Sequence, residues 1–433
     1  MQQVLIDLAL ERAGFSSLEQ LIRAKGLSSQ EAAHEALMPW VLGYDLWRVH
    51  SGDTLFRIAG ETGSTVEAIQ AANPGISPEN LTIGTYLVVP FSFPVVPENV
   101  PFTWQLTHYV IRGLQARYPF LGMEIIGESA YGRPLEQVRL GTGRRVVYCN
   151  ASHHANEWIT TPALLSMVER LARASAFGET VLGLDASALS REVSLFAVPL
   201  VNPDGVDLVN GAASANETAA ARAISENYPE IPFPDGWKAN LQGVDLNLNY
   251  PAKWEEGKKL KYELGFTSPA PRDFVGPNIL SAPESLAMYE TTKALNPDVV
   301  VAWHTQGKEI YWKFLDLAPE GARALGLQMA EASGYALQEV PYAASFGGYK
   351  DWFIQDYMRP GYTVEAGSGE NPLPLSQLPE IIEQNLPILL LALSGGDPNY
   401  VEPAADVETM APARPASPKR PAFAGKGIQQ VWG

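Results

Sequence analysis

Six histidines occur in the chain, and two of them are adjacent: His153 and His154, in "NASHHANEWITTPAL" (residues 150–164), with Glu157 three positions after the second. Imidazole nitrogens and carboxylate oxygens are ligands that zinc accepts, and three protein ligands leave a fourth position for water. A His-x-x-Glu pair alone is a weak signal, and a hydrogen-bonded surface histidine is the plainer reading of His154 by itself. Two distant residues change that balance. His304 ends the apolar run "PDVVVAWH", and Glu365 ends "GYTVE". Two imidazoles and a carboxylate make a ligand set, and a separate carboxylate can take a proton from water that a metal has acidified. The chemistry this predicts is metal-assisted hydrolysis.

Such residues meet only if the chain delivers them to one place. In open α/β sheets ligands gather beyond the carboxyl ends of the strands. Here "RRVVYCN" leads into His154 and Glu157, "VVVAW" into His304, "YTV" into Glu365 and "FAVPLVN" into Pro203-Asp204-Gly205. These are continuous apolar runs, alternating with helical patterns such as "TWQLTHYVIRGLQARYP". They predict an α/β domain over 103–395: a mixed, mostly parallel sheet with helices on both faces.

Ahead of it, residues 44–90 read as strand, helix, helix, strand. Tyr44 to Val49 is strand-like, Asp53 is a candidate N-cap with Leu55, Ile58 and Ala59 following at helical spacing, and Ser64 starts a second helix that stops at Asn73-Pro74-Gly75. Gly84 then turns the chain into "TYLVVP". With "GDTL", "AANPG" and "IGTYLVVP" in place, this small βααβ segment resembles a LysM module, which implies binding to N-acetylglucosamine-containing glycans, peptidoglycan above all. Residues 1–43 contain a strand-like "VLIDLAL" and two helical pieces split at Gly26. They are expected to be either a degenerate first repeat or a helical extension. "PFSFPVVPENVP", residues 90–101, is Pro-rich and reads as a semi-rigid linker over 91–102. The Pro/Ala-rich tail, 396–433, is expected to be largely disordered.

Charge and composition narrow the partners. With 31 basic against 48 acidic residues the net charge is −17, which argues against a nucleic acid. No stretch reaches the roughly 20 apolar residues of a membrane helix. The start, "MQQVLIDLALERAGF", has no basic n-region or cleavage site, so no signal peptide is expected. The expected location is then the cytoplasm, or the cell wall after leaderless release. The single cysteine, Cys149, excludes an intrachain disulfide and reads as a small buried hydrophobe. The sequence does not fix an oligomeric state.

"HHANEW", "NPDG", "GVDLNLNY", "AWHTQG" and "YTVEAG" occur in the order found in the zinc metallocarboxypeptidases, and the chain resembles that family over most of 103–395. The resemblance implies one zinc ion held by His154, Glu157 and His304, with Glu365 as general base. His153 matches no ligand and is expected to pack or hydrogen-bond nearby. Asp245 matches a carboxylate that orients a ligand histidine. Lys238, in "GWKAN", takes the place of the arginine that polarises the scissile carbonyl. Tyr342 is the nearest match, off by one residue, to a tyrosine that caps the substrate.

The departures matter as much. The exopeptidases carry Asn-Arg where this chain has Asn247-Leu248, and leucine cannot clamp a terminal carboxylate. An arginine following the first ligand histidine is here Asn156. "GVDLNLNYPAKW" and "GYKDWFIQDYMRPGYTVEAGSGENPLPLSQ" resemble one branch in particular, the γ-D-glutamyl-L-diamino acid endopeptidases of bacilli and relatives, which join LysM repeats to this catalytic domain. The implied reaction cleaves the γ-D-glutamyl bond to diaminopimelate or lysine in the peptidoglycan stem, and the resemblance also implies a setting that includes sporulation and action from inside the forespore. Asn156 and Asn247 would hold polar groups of the stem peptide, and Lys238 or Arg359 the D-Glu carboxylate. The alternatives are a carboxypeptidase that trims C-terminal residues, with Arg359 as its clamp, an amide hydrolase of the related acylase branch, or a catalytically silent wall-binding protein.

Overall fold

Glycine punctuates the first 43 residues. In the computed structural model, which describes residues 2–342 and 345–402, helices α1 (Gln3–Ala13), α2 (Leu18–Lys25) and α3 (Gln30–Leu42) each end at a glycine of positive φ: Gly14, Gly26 and Gly43. A residue without a Cβ enters that left-handed region freely. The strand expected in "VLIDLAL" is instead the body of α1, where Leu5, Leu8 and Ala9 share one buried face. So short an apolar run carries no period that separates strand from helix. The helix formers after it, closed by Gly14, decide the matter. Leu37 and Val41 of α3 join the same core as Leu106 and Val110 of the large unit that follows.

The βααβ segment comprises β1 (Tyr44–Arg48), α4 (Leu55–Thr62), α5 (Val66–Ala72) and β2 (Tyr86–Pro90), with β1 and β2 antiparallel. Its own small core is Val49, Leu55, Ile58, Ala59, Ile69, Leu87 and Val89. The caps differ from expectation by one residue each. Thr54 and Thr65 accept the first-turn N–H groups of α4 and α5. Asp53 is instead engaged by the Trp47 indole N–H, the His50 N–H and Arg57.

The Pro-rich stretch after β2 is not a free spacer. Val95, Val96 and Phe102 are buried. The N–H groups of Val95 and Val96 donate to the two oxygens of Glu169, at 2.7 and 2.9 Å. Arg117 donates to the carbonyls of Phe91 and Phe93, and Arg12 to those of Pro94 and Val95. An extended Pro-rich backbone makes no internal hydrogen bonds, so its carbonyls are free to be taken by arginines. The stretch is a strap tied to the large unit.

That unit runs α6 (Trp104–Arg117), β3 (Gly122–Glu128), β4 (Pro134–Leu140), β5 (Arg145–Ala151), α7 (Thr160–Phe177), a small hairpin of β6 (Thr180–Val181) and β7 (Leu184–Asp185), α8 (Ala186–Glu192), β8 (Val193–Val198), α9 (Pro203–Val209) and α10 (Ala215–Ser225). It continues with α11 (Trp254–Glu263), α12 (Pro283–Leu295), β9 (Val299–His304), β10 (Glu309–Tyr311), α13 (Ala322–Ser333), β11 (Ala336–Gln338), α14 (Tyr349–Tyr357), β12 (Gly361–Glu365) and α15 (Leu378–Ser394). Eight strands form one mixed sheet in the order β11-β10-β12-β9-β5-β8-β4-β3. The four central strands β12, β9, β5 and β8 are mutually parallel, so their carboxyl ends share a rim.

Alternation along the central strands makes two cores. Val147, Cys149 and Ala151 of β5, with Val301 and Trp303 of β9, face α7 and α15. Tyr148, Val300 and Ala302 face the opposite way, onto Tyr349, Trp352 and Phe353 of α14 and Met288 of α12. Burial on both faces is why these strands read as unbroken apolar runs. No helix among the described residues is long and apolar enough to cross a membrane. The tail lies outside the described residues from 403 onward, its closing "IQQVWG" included.

Candidate metal centre

β5 and β9 are neighbours in register, with Ala151 opposite Trp303. His304 is the last residue of β9, and His154 lies three residues past the end of β5. Ser152, at φ 54°, turns the chain out of the sheet, and its buried hydroxyl contacts those of Thr160 and Thr161 at the start of α7. A single turn of 3₁₀-helix, Ala155–Glu157, then brings Glu157 back beside His154. The result is a tight group. His154 Nδ1 and His304 Nδ1 are 3.2 Å apart, and each is 2.9 Å from a different oxygen of Glu157. One ligand atom from each residue lies within 4.8 Å of the others, and all three side chains are nearly closed to solvent.

Neighbours fix the orientation of the group. His154 Nε2 is 3.2 Å from Asp245 Oδ1, and Asp245 Oδ2 accepts the Asp273 N–H at 3.1 Å. Glu157 also accepts the Thr305 N–H at 3.3 Å and the Lys238 ammonium at 3.1 Å. Lys238 is held there through its backbone, whose carbonyl accepts the Ala155 N–H. His153 points elsewhere. Its Nε2 is 2.9 Å from the Tyr250 hydroxyl, and its ring is fully buried.

Burial and mutual charge set the protonation states. Burial disfavours a charged His154, but the carboxylates of Glu157 and Asp245 outweigh it and push its pKa up to about 9. Burial works against the Glu157 carboxylate too, yet His154 and Lys238 hold it well below the usual range. Glu365 stands opposite His304 in the parallel register of β12 and β9, with Glu309 opposite it on the other side. Burial, then the charge of Glu157, pushes its pKa up to about 8.

The remaining predicted residues are spread more widely. Asn156 is buried and its amide donates to the Asp235 carbonyl at 2.9 Å, while its Oδ1 has no partner among the described residues. Asn247 Oδ1 accepts the Tyr349 N–H at the start of α14. Leu248 closes the short turn Leu246–Leu248, partly exposed. Tyr342 is 66% exposed and packs edge-on against Phe346 rather than on the buried group.

Arg359 corrects an expectation. It precedes β12 and donates to the carbonyls of Asn296 and Pro297, just ahead of β9. That is the amino-terminal end of the parallel strands, whereas the histidines and Glu365 occupy the carboxyl-terminal end. Five strand residues at about 3.3 Å each separate the two rims. Arg359 can therefore neither bind a D-Glu carboxylate at this group nor act as a C-terminal clamp there. Sequence reasoning also missed Asp273, whose N–H reaches the group through Asp245, and Arg272, which donates to Asp273; no local pattern marks a contact across 28 positions.

Residues 107–388 match the zinc carboxypeptidase family and residues 48–90 the LysM domain. The chain is 42% identical over 283 residues to gamma-D-glutamyl-L-diamino acid endopeptidase 1 of Lysinibacillus sphaericus, covering 65% of this chain and 70% of that protein. It is 41% identical over 284 residues to the uncharacterized protein YqgT of Bacillus subtilis (strain 168), covering 64% and 73%. Among solved structures, thrombin activatable fibrinolysis inhibitor superposes with a TM-score of 0.57 at 15% identity, over 74% of this chain and 91% of that one. Carboxypeptidase A from Helicoverpa armigera superposes with a TM-score of 0.52 at 20% identity, over 69% and 75%. At those identities the likeness is one of fold.

Proposed function

From the premise that the chain belongs to the zinc carboxypeptidase family and carries a LysM domain, we propose that it is a peptidoglycan hydrolase cleaving the γ-D-glutamyl bond to diaminopimelate or lysine in the stem peptide. The observation that carries this reading is the meeting of two imidazole Nδ1 atoms and one carboxylate at a single buried point. The 42% identity to a protein named as that endopeptidase points to the bond, and the LysM domain to a glycan anchor at the cell wall.

The residues fit one zinc ion per chain. Two nitrogens and an oxygen are donors zinc accepts, and Asp245 supports the far nitrogen of one ligand histidine, as ligand histidines require. His154 and His304, through Nδ1, and Glu157 would hold it. When bound, the ion supplies Lewis acidity, which acidifies water and polarises a carbonyl.

Glu365 takes the proton of the attacking water and returns it to the departing amine. Burial and the charge of Glu157 raise the basicity of its carboxylate, which suits it to take that proton. Lys238 places a positive charge beside Glu157, where the amide oxygen gains charge as the bond is attacked. Asn156, whose buried Oδ1 has no partner among the described residues, and Asn247 are the residues we assign to polar groups of the stem peptide. Leu248 leaves no clamp for a terminal carboxylate, and Arg359, on the far rim, does not replace it. That favours an endopeptidase over C-terminal trimming.

Mass spectrometry of muropeptides after digestion of purified sacculi tests the reading. New fragments ending in γ-D-glutamate, with the diamino acid as the new amino terminus, are expected. Release of single C-terminal residues instead would make the protein a carboxypeptidase, and no release by protein loaded with zinc would make it a silent binder.

A further inference from the structure

A γ-linked glutamyl residue keeps its α-carboxylate free, only a few bonds from the carbonyl to be attacked. A site that cleaves this bond must therefore face a negative charge with something besides the metal. Lys238 is committed to Glu157, Lys261 to Asp273, and Arg359 is at the wrong end of the sheet. Leu248 is neutral.

Among the described residues, one cation remains beside the group. Arg272 is bracketed by two contacts to it. The Pro271 carbonyl accepts the N–H groups of Lys238 and Ala239, at 2.8 and 2.9 Å. On the other side the Asp273 N–H donates to Asp245, itself bonded to His154. The Arg272 side chain is 31% exposed. Its Nε donates to Asp273 Oδ2 at 2.6 Å, which fixes the plane of the guanidinium. Its two Nη groups have no partner among the described residues. Burial opposes its charge, but the carboxylates of Asp273, Asp245 and Glu157 more than restore it.

The geometry points to Arg272 as the residue that receives the α-carboxylate of the D-glutamyl unit, a specificity determinant resting on the reaction proposed above. A planar guanidinium with Nε anchored and both Nη groups free presents a fork that matches a carboxylate, which lysine cannot do as well. The fork replaces, for a side branch of the substrate, the clamp that Leu248 removed for a chain terminus. It also predicts discrimination: a stem peptide whose D-glutamate is α-amidated offers that fork no negative charge.

The test compares two synthetic peptides, L-Ala-γ-D-Glu-diaminopimelate and its α-carboxamide counterpart, on zinc-loaded enzyme. Wild type should prefer the acid. Arg272→Gln should lower kcat/KM for the acid by about 10- to 100-fold, the size expected for a lost charged hydrogen-bond pair, and leave the amide within about twofold. Arg272→Lys should fall between, and it serves as the readout if the glutamine variant does not fold. Equal losses on both peptides, or a preference that survives the substitution, would overturn the assignment alone. A wild-type enzyme that cleaves neither peptide would overturn the proposed reaction and this inference together.

Discussion

Glu365 and His304 end neighbouring parallel strands directly opposite one another, in the register that pairs Tyr362 with Val301 and Val364 with Trp303. Side chains opposite one another in a sheet leave it on the same face, so the sheet itself aims the carboxyl toward the buried histidines. If Glu365 is the base, Glu365→Gln should retain zinc and lose about 10²- to 10⁴-fold in kcat. Metal content and turnover measured on the same preparation check this, and near-normal turnover would remove Glu365 from the role.

Asp245 acts at one remove. Its Oδ1 takes the outer N–H of His154 while its Oδ2 is tied to the Asp273 backbone. Asp245→Asn can place an amide N–H₂ against that nitrogen, which favours the wrong tautomer. Zinc affinity should fall about 10- to 100-fold. Competition with a chromophoric chelator measures it, and unchanged affinity would show that His154 is oriented by Glu157 alone.

The strap offers a test of stability. Glu169 accepts two N–H groups of the strap and lies 3.7 Å from Arg117. Glu169→Ala leaves those two N–H donors without their acceptor and the nearly buried Arg117 guanidinium without its counter-charge. A loss of about 3–5 kcal/mol is expected, read by chemical denaturation. A loss below about 1 kcal/mol would mean that the strap is held by its apolar residues.

What could be read in advance followed from where residues stand along their strands. β5, β9 and β12 are apolar on both faces, so each announces itself, and the first polar residue after each run marks the rim. That logic brings His154, His304 and Glu365 to one place without any knowledge of the turns between them. It fails for Arg359, which belongs to the start of β12 rather than its end; proximity in sequence to Glu365 hides a full strand length between them. It fails for Asp53 because a carboxylate beside a helix start can serve an indole and an arginine while the next residue, Thr54, does the capping. Arg272 was invisible for a different reason. Its position is set by the hydrogen bonds that its neighbours Pro271 and Asp273 make to Lys238 and Asp245, distant in sequence, and no period or local motif encodes such contacts.

Glu284, in the first turn of α12, should make stability depend on pH. It is fully buried, with Ala130 N–H and Asn240 Nδ2 donating to its oxygens at 2.9 and 3.0 Å. Burial outweighs those bonds and pushes its pKa up to about 7. A folded pKa above the unfolded one means that the native state holds the proton more tightly. The contribution is therefore full below about pH 4.5 and is lost as pH rises through 7. Glu284→Gln stays neutral throughout. The difference in unfolding free energy, wild type minus variant, should fall by up to about 3 kcal/mol between pH 4.5 and 8. Denaturation at several pH values measures it, and a difference that stays flat would place the Glu284 pKa in the ordinary range.

On the proposed reading, Leu248 sets what kind of end the cleft accepts. It closes a turn that begins at Asp245, its N–H bonded to the Asp245 carbonyl at 3.0 Å, and it is partly exposed beside Asn247. A leucine there gives a terminal carboxylate no partner and costs it its hydration. Leu248→Arg puts a guanidinium at the same position without touching His154, Glu157, His304 or Glu365. Rates on a stem peptide with a free C-terminal carboxylate should then rise by about tenfold relative to the same peptide with that terminus amidated, the size of one charged hydrogen bond. Paired kcat/KM measurements give the ratio. If it does not move, the clamp is not what separates this enzyme from the exopeptidases, and the difference must lie in the shape of the cleft beyond the turn.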